Sequence, residues 1–364
     1  MNILFVHSIG KRKFGGGEKW LITAAAGFMD KGHRVFVGVR PGSRLLKAAR
    51  LKGLETVAFN ILSDISIWYV FRIAFFLRTH KIDVLITKGS DLYITGIAAR
   101  FAGRPLVLAR HGSPLRSSFK KHSFLLNKLA DGIITNTKTI KELFESNGLV
   151  KKDFTRVIYN GVAVDNNSAV YDYSKKFPGK RIILSAGRLA ASKGYLYLID
   201  AISILKKEYS DIIFVVLGEG KHYRKFVAYA EKKSVSELIH FEGYIDNVVP
   251  YIKGCDFFVL PSLYEGMPNA AMEAMAYGKA VVLTRVNGAE ELITDNKMGV
   301  LIPPRDSQAI ADAVELLLND KELCDKLGFE AKKHIMTNFP VSSMVNHLKS
   351  YIEEKLLEKN NALR

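Results

Sequence analysis

Glu265 and Glu273 stand on either side of a predicted helix start, and their carboxylates could accept hydrogen bonds from hydroxyl groups. Pro268 is typical of the first turn of a helix, and Gly278 is typical of the residue that follows one. The spacing therefore predicts that Glu265 lies on the loop before this helix and that Glu273 lies inside it. Two carboxylates in this arrangement indicate a binding site for the hydroxyls of a sugar and a ribose.

Groups that could hold a diphosphate occur near two predicted helix starts. Arg188 and Lys193 follow Gly187 at the end of a predicted strand, on a loop that leads into a helix. Such cations neutralise a pyrophosphate through charge-assisted hydrogen bonds. At the other helix start we expect the backbone N–H groups of Met267 and Asn269 to be free to face phosphate or sugar oxygens.

A glycine-rich turn lies between the first predicted strand and the first predicted helix. Gly15, Gly16 and Gly17 leave the backbone without side chains, which permits the close approach of a phosphate. The turn has neither the GxGxxG order nor the GK[ST] of a P-loop. It therefore does not support binding of NAD or hydrolysis of ATP.

Short apolar runs alternate with longer helical patterns along the chain, which favours parallel βαβ units. The predicted strands of the first half are Ile3–His7, His33–Val39, Asp83–Thr87, Leu106–Arg110 and Gly132–Asn136. After a polar linker at 163–179 the pattern restarts, with strands at Arg181–Ser185, Ile212–Leu217, His240–Phe241, Phe257–Leu260, Ala280–Leu283 and Gly299–Leu301. The sequence thus predicts an α/β protein with two Rossmann-like domains that face each other across a ligand-binding cleft.

We expect these domains to comprise residues 1–165 and 166–340, followed by a C-terminal helix within 341–364. Apolar residues at 341, 344, 345, 348, 351, 352 and 356 have the spacing of one helix face. We expect this face to pack back on the first domain.

Positive charge is concentrated in the first half of the chain. The net charge is +17, and residues 1–165, with 27 Lys and Arg against 11 Asp and Glu, account for +16 of it. This asymmetry predicts contact with a polyanion or an anionic membrane surface. The chain has two cysteines, and no signal peptide or membrane-spanning run is predicted, so we expect a cytoplasmic protein.

The motifs occur in the order typical of one family. The chain resembles the large family of retaining GT-B-fold glycosyltransferases that includes bacterial lipopolysaccharide-core, capsule and phosphatidylinositol mannosyl transferases. The resemblance covers nearly the whole chain and rests on these segments: Gly15-Gly16-Gly17-Glu18, Gly32-His33-Arg34-Val35, Asn160-Gly161-Val162, Gly187-Arg188 with Lys193-Gly194, Gly218-Glu219-Gly220, and Glu265-x7-Glu273 with Pro268 and Gly278. Two positions depart from the family pattern, namely Gly17 in place of Ala and Ala163 in place of Asp.

The resemblance implies a GT-B fold in which the first domain binds the acceptor and the second binds a UDP- or GDP-linked sugar. It assigns the catalytic roles to four residues: Glu265 facing the transferred sugar, Arg188 and Lys193 on the leaving diphosphate, and His111 contacting the donor sugar. It implies that Glu273 binds the ribose and that main-chain atoms near Tyr244 recognise the base. The remaining donor-binding positions are Gly15, Gly16, Gly17, Gly187, Gly266, Met267, Pro268 and Asn269.

The departing diphosphate gains negative charge during glycosyl transfer, and fixed cations or a metal can neutralise it. The chain has no Asp-x-Asp motif, so we expect Arg188 and Lys193 to do this without a metal or other cofactor. Following the resemblance, we expect front-face attack with retention of configuration. The acceptor is expected to be a glycan or a lipid-linked hydroxyl used in bacterial cell-surface polysaccharide or lipopolysaccharide synthesis.

Several alternatives stay open at the level of sequence. A sugar-nucleotide epimerase shares the two-domain architecture, whereas nucleic-acid binding is suggested only by the charge and is not expected. His111 could be purely structural. The aromatic segment Ser63–His80 could insert into a bilayer or pack on the first sheet, and the basic segment Arg116–Lys128 could contact an acceptor or a membrane or simply be solvated.

Overall fold

The computed structural model describes residues 1–8, 10–11, 14–61, 67–103, 105–112 and 119–362, without the side chains of 119–122 and 362. Arg116 and Ser63 therefore lie outside the described residues. The chain forms two compact units: unit 1 comprises Met1–Gly161 and Val341–Arg364, and unit 2 comprises Val162–Pro340. The predicted linker 163–179 belongs to unit 2, where the ring of Tyr171 stacks on Tyr251 with centroids 4.1 Å apart.

Unit 1 is a seven-stranded sheet with helices on both faces. Its elements are β1 (Asn2–His7), α1 (Gly16–Asp30), β2 (Arg34–Val39), α2 (Arg44–Leu51), β3 (Glu55–Ala58), α3 (Ile67–Thr79), β4 (Val84–Lys88), α4 (Leu92–Phe101), β5 (Leu106–His111), α5 (Phe119–Leu129), β6 (Gly132–Thr135), α6 (Lys138–Ser146), β7 (Thr155–Val157) and α14 (Val341–Ala362). The strand order is β3-β2-β1-β4-β5-β6-β7, and every pairing is parallel.

Alternate residues of each central strand point to opposite faces of this sheet. Ile3 and Phe5 point into a core shared with α1, α2 and α14, whereas Leu4 and Val6 point into a core shared with α3, α4, α5 and α6. All four side chains are fully buried. Coverage of both faces explains why these strands are continuous apolar runs.

The C-terminal helix α14 packs against unit 1, as its apolar spacing predicted. Leu348, Tyr351 and Ile352 are fully buried in the core that contains α1. Gly27 of α1 allows close approach, because a Cβ there would overlap the side chain of Val345. The expected return of this helix to the first domain is therefore confirmed.

Unit 2 repeats the architecture with six strands. Its elements are β8 (Arg181–Ala186), α7 (Tyr195–Leu205), β9 (Ile212–Leu217), α8 (Tyr223–Lys232), β10 (Ile239–Gly243), α9 (Val249–Gly254), β11 (Phe257–Leu260), α10 (Asn269–Ala276), β12 (Val281–Thr284), α11 (Gly288–Leu292), β13 (Val300–Ile302), α12 (Ser307–Asn319) and α13 (Lys321–Asn338). The strand order is β10-β9-β8-β11-β12-β13, again fully parallel. The prediction of two Rossmann-like units is confirmed.

Both sheets reverse their direction of winding at their first strand. In unit 1 the reversal lies between β1 and β4, and in unit 2 it lies between β8 and β11. The loops that leave the carboxyl ends of such strands diverge to opposite faces and open a crevice that binds ligands in α/β proteins. Within the part of the chain that the structure describes, no helix has the length and hydropathy that a membrane span requires.

The packing of α14 makes a stability prediction. Leu348→Ala removes a fully buried side chain and leaves a cavity, so we expect it to lower the free energy of unfolding by about 2–5 kcal/mol. Leu357 lies on the same helix but is 65% exposed. We therefore expect Leu357→Ala to change the free energy of unfolding by no more than about 0.5 kcal/mol. Urea denaturation followed by circular dichroism measures both, and equal effects would contradict the docking of α14.

Candidate active site

The crevice of unit 2 is formed by the loop after β8 and the loop after β11. These loops approach closely at Gly194, which has a φ of 68°. A Cβ at Gly194 would overlap the carbonyl oxygen of Pro261, the first residue after β11. The backbone N–H of Leu263 also donates to the carbonyl of Ser192 at 2.9 Å. The two loops are therefore joined main chain to main chain.

This junction brings together two of the residues selected from the sequence. Lys193 Nζ donates to Glu265 Oε1, and the pair is half-buried, with side-chain exposures of 20% and 12%. Ser262 Oγ donates to the same carboxylate oxygen at 2.7 Å. The carboxylate is thus oriented by a cation and a hydroxyl, and the partial exposure of both charges leaves them accessible to a polar ligand.

Asn287 supports the main chain of the Glu265 loop. Its side-chain Nδ2 donates to the Glu265 carbonyl at 3.0 Å. Asn287 has a φ of 35°, a conformation that non-glycine residues rarely adopt. Strained backbone of this kind persists where the surrounding structure enforces it, and it often occurs at functional sites.

Gly187 and Arg188 lie at the start of the Lys193 loop. A Cβ at Gly187 would lie 3.4 Å from Lys193 Cε, so the lysine side chain passes directly over this glycine. Gly218, at the end of the neighbouring strand β9, contacts the Gly187 carbonyl so closely that a Cβ would overlap it. Arg188 is exposed on the same loop. The structure therefore places both predicted cations on one loop and pairs Lys193 with Glu265.

Helix α10 follows the Glu265 loop, with Pro268 at its N-cap. The backbone N–H of Asn269 donates to the carbonyl of Met267 at 3.0 Å, so the expectation of a free amide at Asn269 was wrong. Pro268 has a φ of −79° and a ψ of 81°, the geometry of an inverse γ-turn, so it is the cap before the helix rather than a residue of its first turn. Met267 is buried and Gly266 is half-buried beside it.

The other end of α10 matches the sequence prediction. Gly278 has a φ of 74° and donates its N–H to the Met275 carbonyl at 2.9 Å, while the N–H of Lys279 reaches the Ala274 carbonyl at 3.0 Å. This is a Schellman cap. Glu273 is half-buried, four residues into the helix and about 6 Å along its axis from Asn269.

Tyr244 follows β10 at the same carboxyl edge of the sheet. It is half-buried, and the preceding Gly243 accepts a hydrogen bond from the Gly218 N–H at 2.7 Å. The residue is therefore attached through the main chain to the glycine that contacts Gly187.

In unit 1 the glycine-rich turn forms the N-terminus of α1. Gly15 is the N-cap, and its N–H donates to Glu18 Oε2 at 2.7 Å. Glu18 is buried and ties this turn to the end of β1, because its other oxygen lies 2.5 Å from His7 Nε2. Gly16 and Gly17 are the first two residues of the helix.

His7 is the centre of a buried charged cluster at the crevice between β1 and β4. Its Nδ1 lies 3.4 Å from Asp91 Oδ2, and Lys88 Nζ, at the end of β4, lies 3.4 Å from its Nε2. Burial lowers the pKa of His7, but hydrogen bonds to Asp91 and Glu18 outweigh this effect, and the net pKa is raised. Burial likewise opposes ionisation of Glu18, yet its bond to His7 and the charges of His7 and Lys88 lower its pKa to about 2.

Arg110 completes this cluster from β5. Its guanidinium lies 4.2 Å from the centre of the Trp20 ring and donates to Asn160 Oδ1 at 3.1 Å. Burial lowers the pKa of Arg110 to about 10, and the charge of Glu18 opposes this shift. Gly17, Lys88 and Arg110 line a small cavity beside the cluster.

His111 is the last residue of β5 and lies at the same sheet edge. It is 7% exposed, and its ring packs against Phe144 with centroids 4.9 Å apart. A side chain on Gly89 would overlap the imidazole, so the ring also contacts the backbone after β4. The structure thus holds His111 between two chain segments at the carboxyl end of the sheet.

Several residues of these sites were missed by sequence reasoning. Ser262 and Asn287 orient Glu265, and His7, Asp91 and Arg110 form the cluster around Glu18. The signal for Asn287 is the turn-forming pair Asn287-Gly288. The signal for the others is a polar residue at or just beyond the end of a buried strand. Among the residues that the structure describes, no group of three or more His, Cys, Asp or Glu side chains is arranged to hold a metal ion.

Comparison with known proteins assigns both halves of the chain. Residues 14–166 match the sequence model of Glycosyltransferase Family 4, and residues 172–334 match that of Glycosyl transferases group 1. The two matches agree with the two structural units.

Relatives resemble this chain over different shares of their length. An uncharacterized glycosyltransferase, MJ1178 of Methanocaldococcus jannaschii, is 32% identical over 63% of each chain. An N-acetylgalactosamine-N,N'-diacetylbacillosaminyl-diphospho-undecaprenol 4-alpha-N-acetylgalactosaminyltransferase of Campylobacter jejuni is 28% identical over 64% of this chain. The chain spans 63% and 65% of these two relatives, which is under two thirds. The lipopolysaccharide core biosynthesis glycosyltransferase LpsE of Rhizobium meliloti is 25% identical over 90% of this chain and 92% of its own.

Among solved structures, Anabaena Alr3699/HepE in complex with UDP and glucose has a TM-score of 0.86 at 21% identity. The similarity covers 97% of this chain and all of the other, which establishes the common fold. On both family matches and this fold, the chain belongs to the GT-B-fold glycosyltransferases.

Proposed function

We propose that this protein transfers a sugar, with retention of configuration, from a nucleotide diphosphate sugar to a hydroxyl of a glycan or lipid-linked acceptor. The acceptor belongs to bacterial cell-surface polysaccharide or lipopolysaccharide synthesis. The observation that carries the proposal is the Lys193–Glu265 pair, held in the crevice of unit 2 with Ser262 behind it.

The two side chains of this pair fit the sugar and the diphosphate of such a donor. Glu265 accepts hydrogen bonds from hydroxyls of the transferred sugar, and Lys193 and the exposed Arg188 bind the diphosphate. When the donor binds, Lys193 exchanges part of its contact with Glu265 for phosphate oxygens. Glu273 binds the ribose hydroxyls, and the main chain near Tyr244 contacts the base.

The reaction exchanges one C–O bond for another. The bond between the anomeric carbon and the diphosphate breaks, and the acceptor oxygen bonds to the same face of that carbon. The acceptor proton passes to an oxygen of the leaving phosphate. Arg188 and Lys193 stabilise the charge that develops on the diphosphate, which removes the need for a metal. We propose that His111 contacts the donor sugar.

Three similar proteins support the class of donor and acceptor. HepE was crystallised with UDP and glucose, which supports a UDP-linked sugar as the first donor to test, with GDP-linked sugars next. The name of the Campylobacter relative specifies a diphospho-undecaprenol acceptor, and LpsE is named for lipopolysaccharide core synthesis. An enzyme that uses a lipid-linked acceptor acts at the inner face of a membrane, and the charge of +16 within residues 1–165 supports this location.

The cluster around Glu18 serves the glycine-rich turn. Glu18 accepts the Gly15 N–H and is itself bonded to His7, so the start of the glycine-rich turn is attached to the end of β1. We propose that this turn is kept rigid so that a phosphate group can approach Gly16 and Gly17.

The proposed activity is tested directly with a panel of UDP- and GDP-sugars. A donor at 100 times its Kd should add about 2.7 kcal/mol to the free energy of unfolding, measured as a thermal shift. Nucleotide release should require a polyprenol-linked or lipopolysaccharide-core acceptor, should persist in EDTA, and should give a product with the anomeric configuration of the donor by NMR. Inversion of configuration would contradict retention, and conversion of the donor without any acceptor would identify an epimerase.

Removal of either cation should slow the transfer. We expect Lys193→Ala and Arg188→Ala each to lower kcat about 10- to 150-fold, because one charged hydrogen bond to the leaving group contributes about 1.5–3 kcal/mol. Lys233→Ala, which removes an ion pair with Asp200 elsewhere in unit 2, is the control and should leave kcat unchanged. Steady-state nucleotide release measures all three, and full activity of both cation variants would refute the proposed diphosphate site.

The Glu18 pair predicts a dependence of stability on pH. The folded-state pKa of Glu18 is about 2 against an ordinary value of 4.5, so its stabilisation is present above pH 4.5 and is lost as the pH falls towards 2. We expect Glu18→Gln to lower the free energy of unfolding by about 2 kcal/mol at pH 6 and to have little effect near pH 2. Glu55→Gln, in an exposed pair with Arg34, should change it by less than about 0.5 kcal/mol throughout.

Denaturation of the three proteins across this pH range measures the difference. A constant difference between wild type and Glu18→Gln at all pH values would show that the carboxylate of Glu18 is not stabilised by His7.

A further inference from the structure

Helix α3 of unit 1 is apolar on the side that faces the core and also on the side that faces solvent. Val70, Ile73 and Leu77 are buried against the sheet. On the opposite side, Trp68 is 73% exposed and Phe75 is 70% exposed. A surface helix of a globular protein normally carries polar residues on its outer face. This outer face is therefore not explained by the packing of unit 1.

The exposed aromatic side chains continue onto the neighbouring helices. Phe71 of α3 is 56% exposed and its ring lies 6.0 Å from that of Phe101 on α4, which is 54% exposed. Phe124 on α5 is 63% exposed, and α5 contacts α4. We call this surface the aromatic face, and its exposed members are Ile67, Trp68, Phe71, Phe75, Tyr93, Phe101 and Phe124.

The charged residues of the three helices that carry the aromatic face have a single sign. Helices α3, α4 and α5 contain no Asp or Glu. Among the described side chains, their exposed cations are Arg72, Arg78, Arg100 and Lys128, and Lys128 Nζ lies 5.5 Å from the centre of the Phe124 ring. The next helix on this side of the sheet, α6, carries Glu142 and Glu145, so carboxylates are again present there.

We propose that the aromatic face is a docking surface for an anionic lipid bilayer. Exposed apolar surface of this extent marks an interaction site. Aromatic rings flanked by Arg and Lys suit the boundary between headgroups and acyl chains, where the rings bury and the cations meet lipid phosphates. The α3 helix both packs on the sheet and presents its outer aromatic residues to the bilayer, so the two alternatives for this segment are compatible.

The charge pattern selects the bilayer over other occupants. A second copy of the chain that used the same surface would bring the cations of both copies together, and helices α3, α4 and α5 carry no carboxylate to offset them. An anionic bilayer supplies the missing negative charge and an apolar layer at once. The inference deepens the proposed function by naming the surface through which an enzyme with a lipid-linked acceptor reaches its membrane.

Trp68 provides an intrinsic probe of this docking. The chain has two tryptophans, of which Trp20 is 4% exposed and Trp68 is 73% exposed. Vesicles of phosphatidylcholine with phosphatidylglycerol should shift the emission of the wild-type protein to the blue, and brominated acyl chains should quench it. Trp68→Gln should abolish both changes. Unchanged emission of the wild-type protein on these vesicles would overturn the proposal.

Flotation of the protein alone, without donor or acceptor, measures the affinity. We expect the double variant Trp68→Gln with Phe75→Gln to bind the anionic vesicles at least about tenfold more weakly, because each ring loses its burial. Phe329→Gln is the matched control: Phe329 is 66% exposed, but its helix α13 carries Glu322, Asp325 and Glu330, and its binding should equal that of wild type. Glutamine favours helix, and circular dichroism verifies that all variants are folded.

A second pair of variants tests the electrostatic part. Arg72→Gln with Arg78→Gln should weaken binding to anionic vesicles about tenfold or more at low salt, and the loss should shrink at high salt because screening already removes the attraction. Binding of the aromatic variant as tight as wild type would overturn the proposal. So would a wild-type dimer in sedimentation that the aromatic variant dissociates, because the face would then serve self-association.

These outcomes are separate from those of the proposed function. Flotation requires no catalysis, and transfer to a detergent-solubilised acceptor should be unaffected by Trp68→Gln with Phe75→Gln. Vesicle binding without any sugar transfer would reject the proposed function and retain the docking surface. Sugar transfer without vesicle binding would reject the docking surface and retain the proposed function.

Discussion

The candidate site depends on one close contact, the approach of the Gly194 backbone to the carbonyl of Pro261. A side chain at position 194 would separate the loops after β8 and β11, and the pairing of Lys193 with Glu265 would be lost. The contact is possible because β8 and β11 are adjacent in the sheet although 70 residues, 187–256, lie between the end of β8 and the start of β11. Sheet order and one glycine together therefore create the crevice chemistry of unit 2.

In unit 1 a cluster of charged side chains, rather than a close main-chain contact, lies at the equivalent position of the sheet. His7, Glu18 and Asp91 form a buried cluster at the reversal of its sheet, with Lys88 and Arg110 nearby. Isolated charges at this depth would be strongly destabilising, and mutual hydrogen bonds compensate for their loss of water. Glu18 of this cluster accepts the N–H of Gly15 in the glycine-rich turn. The two units therefore have different groups at the same topological position: a half-buried ion pair in unit 2, and a buried charged cluster bonded to a turn in unit 1.

The outer surface of unit 1 shows a third use of the same fold. Its helices α3, α4 and α5 pack on the sheet with one side and expose aromatic residues and cations on the other. Because the core needs only one stripe of each helix, the remaining surface is free to carry a second interaction without loss of packing. The uneven distribution of charge along the chain has its structural counterpart here, in a run of helices without carboxylates.

Local patterns determined much of this protein. Continuous apolar runs identified the central strands, Gly278 identified the end of α10, and the order of motifs around Arg188, Lys193, Glu265 and Glu273 indicated the family. The strands β3 and β7 were missed because they lie at the two edges of the first sheet, where two of the four residues of β3 and one of the three residues of β7 are exposed and the apolar run is broken. Only the tertiary structure decided which residues contact each other across the fold: Lys193 with Glu265, Asn287 with the Glu265 carbonyl, and His7 with Glu18 and Asp91. It also decided which side of α3 packs on the sheet and which side is exposed. A pattern along the chain records how far each residue is buried, but the choice of its partner depends on which strands and helices become neighbours, and that is a property of the whole fold.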